Sequence, residues 1–595
     1  MRSVKKYFRP ICAFLALALL LSALPAGCAD GESVPAYTDE MTYAETLFDT
    51  SRVHTIDVSI AKADWADLRA NPLSKTKYET AVTIDGEEFR SVSFSTKGNT
   101  SLASVAGDAA SDRYSFKLNF GKNNKSQTYR GLNKLNLNNL YADATYMKDY
   151  LSYELFRRVG VDSPLVSFVW LTVNGEAHGL YIAIEDISES YLERTANGEG
   201  KLYKPESDRL DMDNAGRPEG SGMPQAPDAS GMPQMPEGSG MPQAPDAPGM
   251  PQMPEGSGMP QMPEGSGMPQ MPEGSGMPQF PDQSGQGGPG GHGKADLDDP
   301  SGGAALIYSD DEPSSYPDIF DNAVTDADED DARRVIAALK GLASGEDVDK
   351  YVDTDQVIRY FAAHNFVLNY DSYTGNMLHN YYLYERGGRL SMLPWDYNLA
   401  FGAFMGGGPD GSATDMVNLG VDTPLSGADE SARPMWGFIA ENDEYLAEYH
   451  EVCAKLISDY FDSGEFAKQF DSLVSLIRPY VKKDPSAFYT ADEFETAIKT
   501  LKSFILKRAQ SISLQLDGSL AADTLAQDPS ARVDASDIDI SSMGSHGGPG
   551  DHIGQEGHGQ GVPGGQGFPG GQGFPGGPGG SAPGERPDGT PPPGP

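Results

Sequence analysis

Asn369-Tyr370-Asp371-Ser372-Tyr373-Thr374-Gly375-Asn376 and, further on, Leu393-Pro394-Trp395-Asp396-Tyr397-Asn398 are the two stretches on which the reading of this chain turns. A carboxylate, an amide five residues later and a second carboxylate just after a hairpin are the oxygen groups that phosphoryl transfer uses. One carboxylate accepts or orients the attacking hydroxyl, and the other oxygens hold divalent metal against the phosphates. Asp371 suits the first role, and Asn376 and Asp396 suit the second. As a bare pattern, the Asp-to-Asn spacing also describes an aspartate capping a turn. The surroundings have to decide.

Working outward, the periodicity predicts helices over 328–343 and 354–369 and short strands over 380–384 and 389–394 around Gly387-Gly388. From 434 to 516 the pattern is helical, with breaks expected at Pro479 and Pro485. Toward the N-terminus the pattern is mostly strands. Residues 54–59 alternate, 61–71 suit a short helix around Trp65 and Leu68, and 79–96 form a hairpin about Asp85-Gly86. Phe116, Leu118 and Phe120 share one face of a strand with Lys117 on the other, 145–159 carries one apolar helical stripe, and strands over 165–173 and 179–185 meet at Asn174-Gly175. Strands with one helix followed by helices imply an α+β protein with a strand-rich lobe, a helical lobe and a cleft between them.

The chain has 595 residues with 69 Gly and 44 Pro, and these concentrate in two segments. From Ser221 to Gln283 a nonapeptide of the form Ser-Gly-Met-Pro-Gln-Met-Pro-Glu-Gly recurs seven times, with Ala or Phe at some sixth positions. Prolines remove backbone donors and glycines resist ordering, so a disordered acidic insertion is expected, followed after the globular part by a disordered Gly/Pro-rich tail. The net charge of −41 argues against nucleic acid and anionic lipid surfaces as partners. Arg2, Lys5, Lys6 and Arg9 precede an apolar run from Ile11 to Leu24, the pattern of an export signal. Leu24-Pro25-Ala26-Gly27-Cys28 resembles a lipobox, which would anchor the chain by a lipid at Cys28; ordinary cleavage near Ala26 or Ala29 is the other reading. Cys453 then stands alone, as a small buried hydrophobe.

The words around the two aspartates are specific. Ser95-Thr96-Lys97-Gly98-Asn99-Thr100-Ser101, Ser115-Phe116-Lys117-Leu118 and Tyr150-Leu151-Ser152-Tyr153-Glu154-Leu155-Phe156 come first. Asn174-Gly175 with Gly179-Leu180-Tyr181, His379-Asn380-Tyr381-Tyr382-Leu383-Tyr384 and Pro394-Trp395-Asp396 follow in order. Together with 369–376 they resemble the CotH family, the spore coat protein H kinases, from about His54 to Leu516 around the insertion. The resemblance implies an atypical, two-lobed protein-kinase-like fold. Asp371 falls on its catalytic aspartate, with Asn376 and Asp396 as metal ligands, ATP as phosphate donor and Mg²⁺ or Mn²⁺ as cation. The phosphate-binding lysine is expected from the strand-rich lobe. Lys117 paired with Glu154 meets that requirement, with Lys97, Lys134 and Asp149 as rivals, and Glu185 stands where an adenine-contacting hinge would be, or is part of an acidic capping pair. Two departures are visible: Lys97 stands where Arg is expected, and Asn398 where a second acid is usual, which weakens a second metal site. The Gly98-Asn99 turn stands in for an absent glycine-rich phosphate loop. His364, on the apolar helix before Asp371, reads as a satisfied core histidine or as a brace for the loop.

The resulting division is a lipoprotein-type signal peptide over 1–28, a linker over 29–50, the strand-rich lobe over 51–210, the insertion over 211–303, the helical lobe over 304–520 and the tail over 521–595. The expected activity is an exported Ser/Thr protein kinase, at the cell surface or outside the cell, acting on Ser-rich surface or coat proteins. Its own repeat serines Ser221, Ser230, Ser239, Ser257, Ser266 and Ser275 are further candidate substrates. The competing reading is an inactive adhesin or matrix protein that displays the repeats.

Overall fold

A computed structural model describes residues 41–207, 303–404 and 412–548. The signal and lipobox, the nonapeptide repeats and the end of the tail lie outside the described residues.

Seven strands form a closed barrel: β1 (His54–Ser59), β2 (Tyr78–Ile84), β3 (Glu87–Lys97), β4 (Ser115–Asn119), β5 (Lys134–Asn138), β6 (Val166–Val173) and β7 (Glu176–Glu185), in the order β1-β2-β3-β4-β5-β7-β6. All neighbours are antiparallel except β6 and β1, which close the barrel in parallel with His54 opposite Val169 and Val58 opposite Val173. The two hairpin turns arise from local chemistry. Asp85 and Gly86 have φ of 48° and 91°, and Asn174 and Gly175 have 53° and 79°, the doubly left-handed pair that matches strand twist. Alternation sends Ile56, Val58, Phe94, Phe116, Leu118 and Leu137 into the barrel. The opposite face of β3–β5 is polar: Ser95 pairs with Lys117 and Lys97 with Ser115, while Lys117 pairs with Asn136.

Helices pack outside the barrel and beyond it. In chain order they include α1 (Lys62–Ala70), α2 (Thr100–Gly107), α3 (Lys148–Arg158), α4 (Glu189–Ala196), α5 (Glu329–Ser344), α6 (Thr354–Val367), α7 (Asp443–Leu456), α8 (Glu465–Val481) and α9 (Ala491–Leu516). α3 is the bridge between the two parts. Its Tyr150 stacks on Phe168 of β6, and its Phe156 lies against Tyr360 of α6, so its apolar stripe belongs to the second, larger core. A small sheet joins distant parts of the chain, with β8 (Lys201–Tyr203) pairing to β9 (Tyr381–Arg386), and β9 to β10 (Arg389–Pro394). α6 is buried on nearly all sides, from Val357 to Val367.

The mixed α+β class is as expected, and several boundaries move. The helix before Pro479 does not stop there but continues to Val481, because Ile477 and Val481 are buried and hold the last turn despite one missing backbone donor. Residues assigned to the linker fold: Tyr43 is fully buried in the barrel core. Residues beyond 520 also pack, with Val533, Ala535, Ile540 and Met543 in the helical core. Cys453 is a buried free thiol whose pKa burial pushes up to about 12, as a small hydrophobe should be.

One buried ion pair fastens the barrel to the helices. Arg113, just before β4, gives Nη1 to Asp484 at 2.9 Å and Nε to the Asn139 carbonyl at 3.0 Å. Asp484 also accepts the Leu180 N–H at 2.8 Å. Neither side chain is solvent-exposed. The aspartate can approach only because position 179 is glycine, with φ of +119° and no side chain, where a Cβ would lie 2.2 Å from Asp484 Oδ1.

Candidate active site

The two stretches that decided the reading meet in space. α6 ends where Leu368 turns left-handed (φ 54°), and the chain enters a loop from Asn369 to Asn380. Gly375 permits its tightest bend, since a Cβ there would fall 2.0 Å from the Tyr370 carbonyl. Asp371 is gripped on both oxygens. His379 Nε2 lies 2.6 Å from Oδ1, and Asn380 Nδ2 donates to Oδ2 at 3.1 Å and to the Asp371 carbonyl at 2.8 Å. Only 14% of the Asp371 side chain is exposed, so the carboxylate is fixed yet open to a visitor.

Asp396 follows β10 and is itself left-handed, with φ of 57°. The strained backbone is held by three contacts: Tyr153 Oη accepts its N–H at 3.0 Å, Asn369 Nδ2 donates to its carbonyl at 3.2 Å, and the next N–H, of Tyr397, goes to Asp149 Oδ1 at 2.9 Å. Its carboxylate is treated differently. Oδ1 is buried and has no hydrogen-bond partner, and Asn369 Oδ1 is likewise buried and unpaired. Burial pushes the Asp396 carboxyl upward, Asp371 adds to this, and Lys97 opposes it. Burial, and then the charge of Asp396, raise Asp149 above the usual carboxylate range. Lys97 is pulled down by burial and supported by Asp396; its Nζ donates to Asn138 Oδ1 at 2.6 Å and stands 5.8 Å from the Trp395 ring centre. Lys204, an ion-pair partner of Glu206, adds a second positive charge felt by both Asp396 and Lys97.

His364 ties the two loops together. Nδ1 faces Tyr397 Oη at 2.7 Å, while Nε2 faces Thr374 Oγ1 at 2.8 Å and Ser372 Oγ at 3.1 Å. Burial lowers its pKa to about 3, so the ring is neutral and one nitrogen donates while the other accepts. Both readings of this histidine hold: it is a buried, satisfied core residue, and its hydrogen bonds brace the loop.

The remaining candidates are dispersed. Lys117 is not joined to Glu154: its Nζ pairs with Asp186 at 2.7 Å, and Asp186 also takes Asn136 Nδ2 at 2.9 Å. Glu154 is held instead by Arg157 and Arg158, each at 2.9 Å on its own helix. Helical neighbours three and four residues away reach it first. Glu185 is fully buried, accepting from Tyr43, from Arg194 at 2.6 Å and from the Leu165 N–H at 3.0 Å, so no oxygen is left for a ligand. Lys134 pairs with Glu189 at 3.2 Å. Asn376 is exposed and lies against Gly427, where a Cβ would come within 2.5 Å of its Oδ1. Of the rivals named from sequence, Lys97 acts on Asp396, and Asp149 feels the charges of both. Lys204 gave no signal in the sequence, because β8 reaches the site only through its pairing with β9.

These residues suit a divalent cation of the magnesium type. Two buried, unpaired acceptor oxygens, on Asp396 and Asn369, have the chemistry to ligate one. Among the described residues no cluster of three or more His, Cys, Asp or Glu side chains forms a complete protein cage. A hard ion that keeps waters and shares its coordination with phosphates needs only one or two carboxylates.

A family model described as CotH kinase protein matches residues 94–230 and 294–512. The inner spore coat protein H of Bacillus subtilis (strain 168) is 19% identical over 391 residues, covering 64% of this chain and 78% of that protein.

Proposed function

This chain belongs to the CotH kinase protein family, and from that premise we propose that it is an ATP-dependent Ser/Thr protein kinase acting outside the cytoplasm. The barrel serves as the nucleotide-side lobe and the helical part as the substrate-side lobe. The carrying observation is the unpaired, buried Asp396 Oδ1 beside the charges of Lys97 and Asp371. A buried carboxylate oxygen with no hydrogen-bond partner is an acceptor that a divalent cation would satisfy.

Asp371 accepts the proton of the substrate hydroxyl, and His379 and Asn380 hold its two oxygens in place. Asp396, with Asn369 or Asn376 supplying an amide oxygen, would hold Mg²⁺ or Mn²⁺. The cation, when bound, neutralises phosphate charge. Lys97, whose charge acts on Asp396, would meet the phosphates, while Lys117 pairs with Asp186. Asp149 steadies Lys97 and fixes the Asp396 loop through the Tyr397 N–H. His364 keeps the two loops in register.

The export signal read in the first residues, with Cys28 as a lipid anchor, and the spore coat relative favour a surface or coat location. No described helix is long and apolar enough to cross a membrane. Purified full chain with labelled ATP, Mg²⁺ and a Ser-rich peptide should transfer label. Asp371→Asn and Asp396→Asn should not, and equal labelling by all three would falsify the assignment. ATP with Mg²⁺ should also raise the melting temperature; no shift together with no transfer returns the display reading.

A further inference from the structure

Three consecutive carbonyls of the Asp371 loop are taken by one distant segment. Arg433 donates from Nε to the Tyr373 carbonyl at 2.7 Å and from Nη2 to the Gly375 carbonyl at 2.7 Å. Between them, the Thr374 carbonyl accepts the Ser426 N–H at 3.0 Å. Gly427, with φ of +74°, lies so close to Asn376 that a Cβ would come within 2.5 Å of its Oδ1. The segment 426–433 thus follows the loop from Tyr373 to Asn376, starting two positions after Asp371.

The hold is built on buried parts. Only 6% of Arg433 is exposed, and its remaining nitrogen, Nη1, donates to the Ala432 carbonyl at 2.8 Å. The guanidinium carbon stands 5.8 Å from the Tyr373 ring centre, and the Tyr373 hydroxyl accepts the Met435 N–H at 3.2 Å. Arg433 directly precedes the short helix Pro434–Ala440, whose fully buried Trp436 has its ring centre 5.4 Å from that of Phe361 on α6. α6 is the helix from which the Asp371 loop departs. Arg433 therefore ties the loop's backbone back to that helix, while His364 on the same helix bonds the hydroxyls of Ser372 and Thr374.

Tyr373 and Gly375 are buried, so removal of the guanidinium leaves two buried carbonyls short of a charged donor. The loop then has to move to find others, and Asp371 moves with it. A displacement of about 1 Å at a reacting group costs on the order of 10²-fold in rate.

We propose that Arg433 is a positioning residue for Asp371: by holding the carbonyls of the loop it fixes where the base meets the substrate hydroxyl. The role rests on the kinase reading above. It bears on the chemical step and not on nucleotide affinity, because Asp396 and Lys97 lie on other segments. Lysine does not replace it, since an ammonium lacks the planar fork that spans two acceptors.

The test uses full-length chain, labelled ATP, Mg²⁺ and a Ser-rich peptide, with Arg433→Lys and Arg433→Ala beside wild type. In both variants kcat should fall about 10- to 100-fold, with KM for ATP within about twofold and the rise in melting temperature on adding ATP and Mg²⁺ retained. Millimolar methylguanidinium should restore part of kcat to Arg433→Ala and leave wild type unchanged. Amides of residues 369–380 should exchange hydrogen faster in Arg433→Lys, while those of α6 keep their protection. If Arg433→Ala does not fold, Arg433→Lys, which keeps the charge, decides; failure of both to fold makes the residue purely structural and overturns the proposal. Undiminished kcat in a folded variant overturns it too, as does a loss of ATP binding that parallels the loss of rate, and wild-type transfer then leaves the kinase reading standing. No transfer by wild type overturns the kinase reading and this role with it.

Discussion

Two groups of buried charges sit near the start of β4, one reached from Arg113 and the other from Lys97, and they are finished differently. At Arg113 and Asp484 nearly every donor and acceptor is used: the guanidinium binds a carboxylate, two backbone carbonyls and the Ser486 hydroxyl, and the carboxylate takes the Leu180 N–H in return. Around Asp396 the backbone is tied down with equal care, yet one carboxylate oxygen and one amide oxygen are left with nothing. A protein that desolvates a charge and satisfies it has built architecture. One that desolvates a charge and leaves an oxygen unpaired keeps an acceptor that a bound cation would satisfy.

Several outcomes would break or sharpen that contrast. The largest is Asp371→Asn, expected to lower kcat by about 10²–10⁴-fold, the usual loss when a positioned base is removed. Its melting temperature should change little, since His379 and Asn380 can bond an amide. Next, Arg113→Ala leaves Asp484 buried and uncompensated and should cost about 3–5 kcal/mol, read by chemical denaturation. Gly179→Ala should act in the same direction through the Cβ contact with Asp484. Third, Lys97→Met should reduce kcat/KM for ATP by about 10²-fold, comparable to losing one preorganised donor, with stability nearly kept. Lys117→Met should do the reverse, sparing activity while unpairing buried Asp186 at a cost of about 1–3 kcal/mol. If the two lysine variants exchange phenotypes, the assignment of the phosphate-facing lysine falls.

The last is a pH slope in stability. Burial lowers His178 to about 4, with nearby Asp112 opposing, and lowers His364 to about 3. Unfolded histidine titrates near 6.5. Between those values the unfolded chain binds more protons than the folded one, so stability is fully present above about pH 6.5 and is lost as pH falls toward 4, by at most about 1.4 kcal/mol per unit for each ring. His178→Phe keeps the ring packing against Trp65 and Phe116 and should flatten the slope measured from pH 7 to pH 5 without nucleotide.

Local chemistry made much of this legible in advance. The strand at 54–59 is where alternation places it, and both hairpin turns use Asx-Gly pairs because only such residues take two left-handed angles in succession cheaply. Asp371 and Asp396 stood out because their neighbours form a recognisable word. The short strand β5 is absent from the sequence-based expectations although Lys-Leu-Asn-Leu-Asn alternates as strictly as β4 does. The parallel closure of β6 on β1 leaves no trace in either strand, as pairing partners are chosen by the whole barrel.

The sequence alone determined the chain's α+β class, its family words, its paired aspartates and its interrupted, acidic, repeat-bearing layout, since all of these depend on near neighbours or on composition. Which lysine serves Asp396 was decided by tertiary structure only. Lys97 and Lys117 lie on the same outer face of adjacent strands, and nothing in their local patterns separates them. The packing of Asp186 beside one and of Asp396 and Asp149 near the other makes the choice. Electrostatic partnership falls off over a few ångströms in space, whatever the distance along the chain.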